Sequence, residues 1–192
     1  MIKELVEFYE EIFPSISPYT ADEAKKACDQ FKNEGRTFST TMSNCLEDLS
    51  QGDIFSEIPF IFIGKDGKQR TIKARAMLLS NTCDCVRNER LQFAAMFKVS
   101  DFSDEEGIRE SIRHNKYFQC LYLPDNRLDD EFVDFGLICS YDREFFKQII
   151  NMGKVVKIAS LSQVGYYILL TKLTVYFLRP EDMEVNESRN QK

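Results

Sequence analysis

The sequence predicts an α+β protein: a small, strongly bent β-barrel with a helical arm before it and a closing helix after it. Three observations carry this. Residues 1–50 place apolar side chains at three- and four-residue spacing among acids. From Gln51 onward the chain breaks into short runs rich in β-branched and aromatic residues, separated by glycine, aspartate and proline. Near the end an apolar stripe returns at helical spacing. Short strands with one helix among them and one after them suit a small bent sheet.

In the arm, "MIKELVEFYEEIF" sets Ile2, Leu5, Val6, Phe8, Tyr9 and Phe13 along one side, and "PSISP" stops it. Thr20, with Glu23 three residues on, forms a capping-box pattern before "ADEAKKACDQF". "TMSNCLEDLSQ" reads as a third short helix. In "GDIFSEIPFIFIG", Pro59 implies two short strands or one strand with a bulge. "GKDGKQ" is a turn by its glycines and aspartate. "TIKARAMLLS" alternates and then becomes continuously apolar, the pattern of a strand buried on both faces, and "RLQFAAMFKVS" is the next strand. "SDEEGIRESIRHNKY" reads as a helix with Ser103 as N-cap. "FQCLYLP", "FVDFGLICSY" and "GKVVKIASL" supply three more strands. Ser162 caps the closing helix "QVGYYILLTKLTVYFL". The expected organisation is an acidic arm over 1–50, a barrel domain over 51–180 and a flexible tail over 181–192.

The 192 residues, 43% of them hydrophobic, suffice for one substantial core. Of the net charge of -6, the arm carries -5, from five Lys/Arg against ten Asp/Glu. The other 142 residues hold twenty against twenty-one, so the chain as a whole lacks a basic nucleic-acid footprint, although a local patch is compatible with these totals. Six cysteines, with no basic segment leading into an apolar one at the start, imply reduced thiols and a cytoplasmic location. "VGYYILLTKLTVYFL" is broken by Lys172 and too short to span a bilayer, so no membrane role is expected.

Several of these segments together are similar to a known family. "GDIF" at 52–55, "RAMLLSN" at 75–81, "FAAMFKVS", "FVDFGLICSYDREFF" and "IASLS" with the helix after it resemble, in the same order, the motifs of the MazF/PemK toxins over roughly residues 51–180. The chain most resembles a group of larger bacterial proteins of uncertain function that carry "QGDIF", Ser-x-Thr-Cys-Asp and "RPE". The resemblance implies an SH3-like barrel, usually dimeric, that in the toxins cleaves single-stranded RNA without metal or other cofactor. There a 2′-hydroxyl attacks the adjacent phosphate, an arginine stabilises the added charge and a threonine hydroxyl assists, as bidentate guanidinium chemistry and preorganised donors allow.

Counting back along the family pattern from Ser80 reaches Ala74, with Lys73 and Arg75 on either side. A one-residue shift along a strand turns a side chain to the other face. Arg75 or Lys73 is therefore the candidate catalytic cation, with Thr82 or Ser100 in place of the threonine. Ser80, Asn81 and Asp84 form a candidate binding turn, in which a buried strand runs into an Asx-type turn at the rim of the ligand site. Cys83, Asp84, Cys85, His114 and Cys120 include zinc-ligand types, but "CDC" does not match structural zinc spacing, and no metal site is expected. A Cys83–His114 pair has the residue types of a nucleophile and its base without a spacing that joins them. "KYFQCLY" is a weak stacking platform for bases.

The functional expectation is a non-catalytic or degenerate accessory that binds RNA or protein, in a bacterial toxin–antitoxin or phage-defence-like system. The alternative is a metal-independent, sequence-specific endoribonuclease with a rearranged Arg/Thr(Ser) pair. Single-stranded RNA, a protein partner and a second copy of the chain are the expected partners. The acidic arm has the charge to cover an RNA groove.

Overall fold

A computed structural model describes residues 39–178 without interruption and, outside them, only residues 25, 26, 29, 30, 185, 188 and 189. The first expected helix lies outside the described residues; of the second only residues 25, 26, 29 and 30 are described, and of the tail only 185, 188 and 189, all of them helical. In chain order the elements are β1 (Ile54–Ile63), β2 (Gln69–Leu78), α1 (Asp84–Arg87), β3 (Arg90–Lys98), α2 (Val99–Phe102), α3 (Glu106–Arg113), β4 (Cys120–Tyr122), β5 (Glu131–Asp142), α4 (Arg143–Asn151), β6 (Lys157–Ala159) and α5 (Gln163–Leu178). A 3₁₀ turn, Asn126–Leu128, precedes β5.

The strands form one six-stranded sheet in the order β4-β5-β3-β2-β1-β6, each neighbour antiparallel. β1 is one strand with an irregularity between Phe55 and Ile58. Pro59 lies where β6 no longer accompanies β1, so its missing N–H breaks no ladder. Both faces are buried, which is why β2 and β3 read as near-continuous apolar runs. One face carries Ile54, Met77, Met96, Val133 and Phe135 under Ile168 and Leu169 of α5. The other carries Phe55, Phe60, Leu78 and Phe93 around Phe146 of α4.

The predicted closed barrel is not what forms: the described strands make an open sheet, strongly curled. Tyr141 on β5 reaches across and donates to the Pro59 carbonyl of β1, but no ladder joins the two. Phe146 occupies the space between them, with ring centroids 5.2 Å from Phe55, 4.4 Å from Phe93 and 5.8 Å from Tyr141. The helix α4 that brings it there, Arg143–Asn151, is not among the elements the sequence predicts. It starts where Asp142 accepts from Phe145 N at 2.9 Å, an N-cap that the sequence carried in plain view.

Residues 41–51 are not the expected third helix. Thr41 bridges to Leu161 beside β6, Met42 N donates to Ser160 O (2.8 Å), and Ser162 N donates to Thr40 O (2.9 Å). Carbonyls that a helix would use, those of Leu46 and Asp48, instead accept from Lys157 Nζ at 2.7 and 2.6 Å. Helix α3 begins two residues later than predicted, with Glu105 at the N-cap position, while Ser103 Oγ accepts from Glu105 N at 3.1 Å. Ser162 does cap α5, accepting from Gly165 N at 3.2 Å. Among the described residues no helix is long and apolar enough to cross a membrane.

Candidate functional site

The end of β2 is built as a tight polar turn over a buried anchor. Leu78 N donates to Asp53 O, and Gly52 N to Leu78 O, both at 2.8 Å. Gly52 adopts φ +89, and a Cβ there would stand 2.5 Å from Leu161, so the Gly-Asp pair at 52–53 has a steric cause. Asp53, fully buried, accepts from Ser160 Oγ (2.5 Å) and Ser50 N (2.8 Å) and pairs with Lys157 Nζ (2.7 Å). The carboxylate thereby ties the start of β1 to β6 and to residues 46–50. Its satisfied bonds leave it a structural role, the usual condition of a buried charge.

From this anchor the chain leaves β2 through Ser80, Asn81 and Thr82. Ser80 Oγ accepts from Gln92 N (2.9 Å) and Thr82 Oγ1 from Gln51 N (3.1 Å). Asn81 Oδ1 accepts from Cys83 N (3.0 Å), while its carbonyl accepts from Asp84 N (2.9 Å) and Cys85 N (3.0 Å). This is the Asx-type turn expected from the sequence. It opens onto a groove of about 680 Å³. Ser80, Asn81 and Asp84 line one part of it, and Arg87, Glu89 and Arg90 another. The floor is polar, with Gln92 and Ser140 from β3 and β5. Ser80, Asn81 and Asp84, the residues of the expected binding turn, thus line one groove. The two arginines were not singled out; their signal is the run "CDCVRNER", charges packed around a turn between two buried strands. Neither arginine has a carboxylate partner among the described residues.

Arg75 stands elsewhere, in mid-strand, on the α5 face of the sheet with Met77. Its guanidinium donates to Glu131 Oε2 (3.2 Å), Asp129 Oδ2 (3.3 Å) and the Arg127 carbonyl (3.4 Å). Burial pushes the Glu131 carboxyl above its ordinary range, and Arg75 opposes that push without cancelling it. Asp129 and Asp130 follow each other at positive φ, +51 and +56. This turn delivers Asp129 to Arg75 and Asp130 to Arg113, whose guanidinium holds it at 2.7 and 3.0 Å. Thr41, nearly buried, donates to Asp125 and accepts from Arg127. For Asp125, burial pushes the carboxyl up, but bonds from Thr41, Arg127 N and Ser39 outweigh it and hold it below the ordinary range.

Of the other candidates, Lys73 is exposed on β2 opposite Pro59. Ser100, exposed in α2, donates to Asp101 at 3.2 Å, past the end of β3 that lies beside the start of β2. Thr82 lies past the opposite end of β2. No bond joins any of the three to Arg75 among the described residues. His114 stands beside Glu110 (3.5 Å) at the end of α3, whereas Cys83 lies in the groove turn, so that pair is not assembled. Cys45, Cys83, Cys85, Cys120 and Cys139 are free thiols. Burial pushes Cys85 up to about 11 and Cys120 and Cys139 up to about 12, far from the range of reactive thiolates. No group of three metal-ligating side chains converges among the described residues. Tyr117 and Phe102 form an exposed aromatic pair, 6.0 Å between centroids, with exposed Lys116 next to Tyr117 in sequence and Asp101 and Asp104 near Phe102, so one cation and two acids stand beside it.

No protein-family model matches this chain, and no curated protein matches it.

Proposed function

We propose that this chain is a degenerate, non-catalytic relative of the MazF/PemK toxins, with an open, curled sheet in place of their SH3-like barrel. In this reading it is a cytoplasmic accessory of a bacterial toxin–antitoxin or phage-defence-like system that binds single-stranded RNA, as a homodimer. The observation that carries the reading is the state of Arg75. Its guanidinium is engaged by two carboxylates and a carbonyl, and Thr82 and Ser100 lie toward opposite ends of its strand. A transition-state cation must be free to meet developing phosphate charge and must have its partner hydroxyl within reach. Neither condition is met, while the groove beside Asn81 presents polar groups and unpaired cations.

The test is incubation of the full chain with a long mixed-sequence RNA in EDTA, followed by both a retention assay and a sizing gel. The expected result is retention without cleavage, in the parent and in Arg75→Ala alike. Cleavage at defined short motifs that is lost in Arg75→Ala would overturn the reading and make the chain a metal-independent endoribonuclease.

A further inference from the structure

We propose that the groove beside Asn81 is the RNA site, with Arg87 and Arg90 taking a backbone phosphate and Asp84 and Glu89 accepting from ribose 2′-hydroxyls. The inference rests on the RNA-binding reading above and adds where the ligand sits and what it must carry.

The groove holds opposite charges that do not neutralise each other. Arg87 and Arg90 form no ion pair among the described residues, although Asp84 and Glu89 line the same groove. A guanidinium left this way on a rim suits a phosphate. The neighbouring carboxylates repel a bare polyanion, so the ligand must also present hydrogen-bond donors. Ionised carboxylates accept only, and a ribose hydroxyl is such a donor. Ser80, Asn81 and Gln92 add neutral partners; their backbone anchoring fixes the wall without using all of their capacity. The volume, about 680 Å³, exceeds what a single inorganic ion would need and lies in the range of organic-ligand sites. The groove is partly open to solvent.

The experiment is fluorescence anisotropy with the full chain and a labelled mixed-sequence 12-nucleotide RNA, its deoxy counterpart and a labelled mononucleotide. Three proteins are compared: the parent, Arg87→Ala with Arg90→Ala, and Asp84→Asn with Glu89→Gln. Circular dichroism checks that each is folded, and Lys65→Ala, in the distant β1–β2 turn, is the charge control. The arginine variant should bind RNA at least tenfold more weakly. Its salt slope should fall by about 0.7, the single-strand value for one phosphate. The carboxylate variant should lose the preference for RNA over DNA while keeping DNA binding. Tighter binding of the mononucleotide than of the strand would overturn the strand as ligand. RNA binding that survives in the folded arginine variant, or falls equally in Lys65→Ala, would overturn the groove assignment and leave the RNA-binding reading standing. Failure of the parent to bind any RNA would overturn both.

Discussion

Arg75 sits on β2, and Arg87 and Arg90 lie just beyond it, yet the fold treats their charges in opposite ways. The Arg75 side chain is 25% exposed and is met by Glu131 and Asp129 from a turn more than fifty residues away. Arg87 and Arg90 are exposed and line a groove, and among the described residues neither has a carboxylate within ion-pair distance. A cation carried into the interior must bring acceptors with it, because an uncompensated buried charge is costly. A cation on the rim stays hydrated and costs the fold almost nothing, so it is available to a ligand. Position in the fold, more than residue type, therefore separates an arginine engaged by the fold from one the fold leaves exposed.

The strongest way to break the comparison is at its most buried pair. Asp53→Ala strands Lys157 beside a cavity and should cost about 3–5 kcal/mol. Urea unfolding measures this, and a loss below 1 kcal/mol would remove Asp53 from its anchoring role. Arg75→Ala leaves Glu131 buried without its partner. It should cost about 1–3 kcal/mol, less because Asp129 is more than half exposed.

The carboxylates of this region sharpen the contrast through pH. Glu131 holds its proton more tightly in the folded chain than in the unfolded one, because burial outweighs Arg75. Stability therefore falls as pH rises from the ordinary value of 4.5 through the raised one, and Glu131→Gln should flatten that fall. Asp125 is shifted downward, so its contribution is present above 3.8 and lost as pH drops below it; Asp125→Asn should remove that loss. Urea midpoints across pH 2 to 8 separate the two, and parallel curves for parent and variants would refute both assignments. The smallest expected effect on stability belongs to Arg87→Ala with Arg90→Ala, within about 0.5 kcal/mol of the parent.

Much of this was legible in the sequence because periodicity reports burial. The run around Met77 announced a strand covered on both faces, the run around Phe93 announced its neighbour as a strand, and Ser162 announced the last helix. The misreadings share one physical origin, a distant partner. Residues 41–51 have local helical character, but Lys157, more than a hundred positions away, binds the carbonyls of Leu46 and Asp48. Phe146, on a helix the sequence did not announce, fills the space between β1 and β5, where no ladder forms. Within the site, the turn at Ser80–Asp84 could be read because Asx chemistry is local. That Arg75 is paired and Arg87 is not could not be read, since Glu131 lies 56 residues from Arg75 and nothing nearby in sequence indicates it.

The bond from Ser160 to Asp53 spans 107 residues and has a consequence in time rather than in space. Asp53 leaves the ribosome long before the residue that satisfies it exists. At the usual 5–20 residues per second, synthesis leaves that carboxylate and the first strand without β6 for roughly 5–20 s. Throughout that interval the nascent sheet has an unpaired edge at Ile54 and Phe55, and its exposure ends only when β6 arrives.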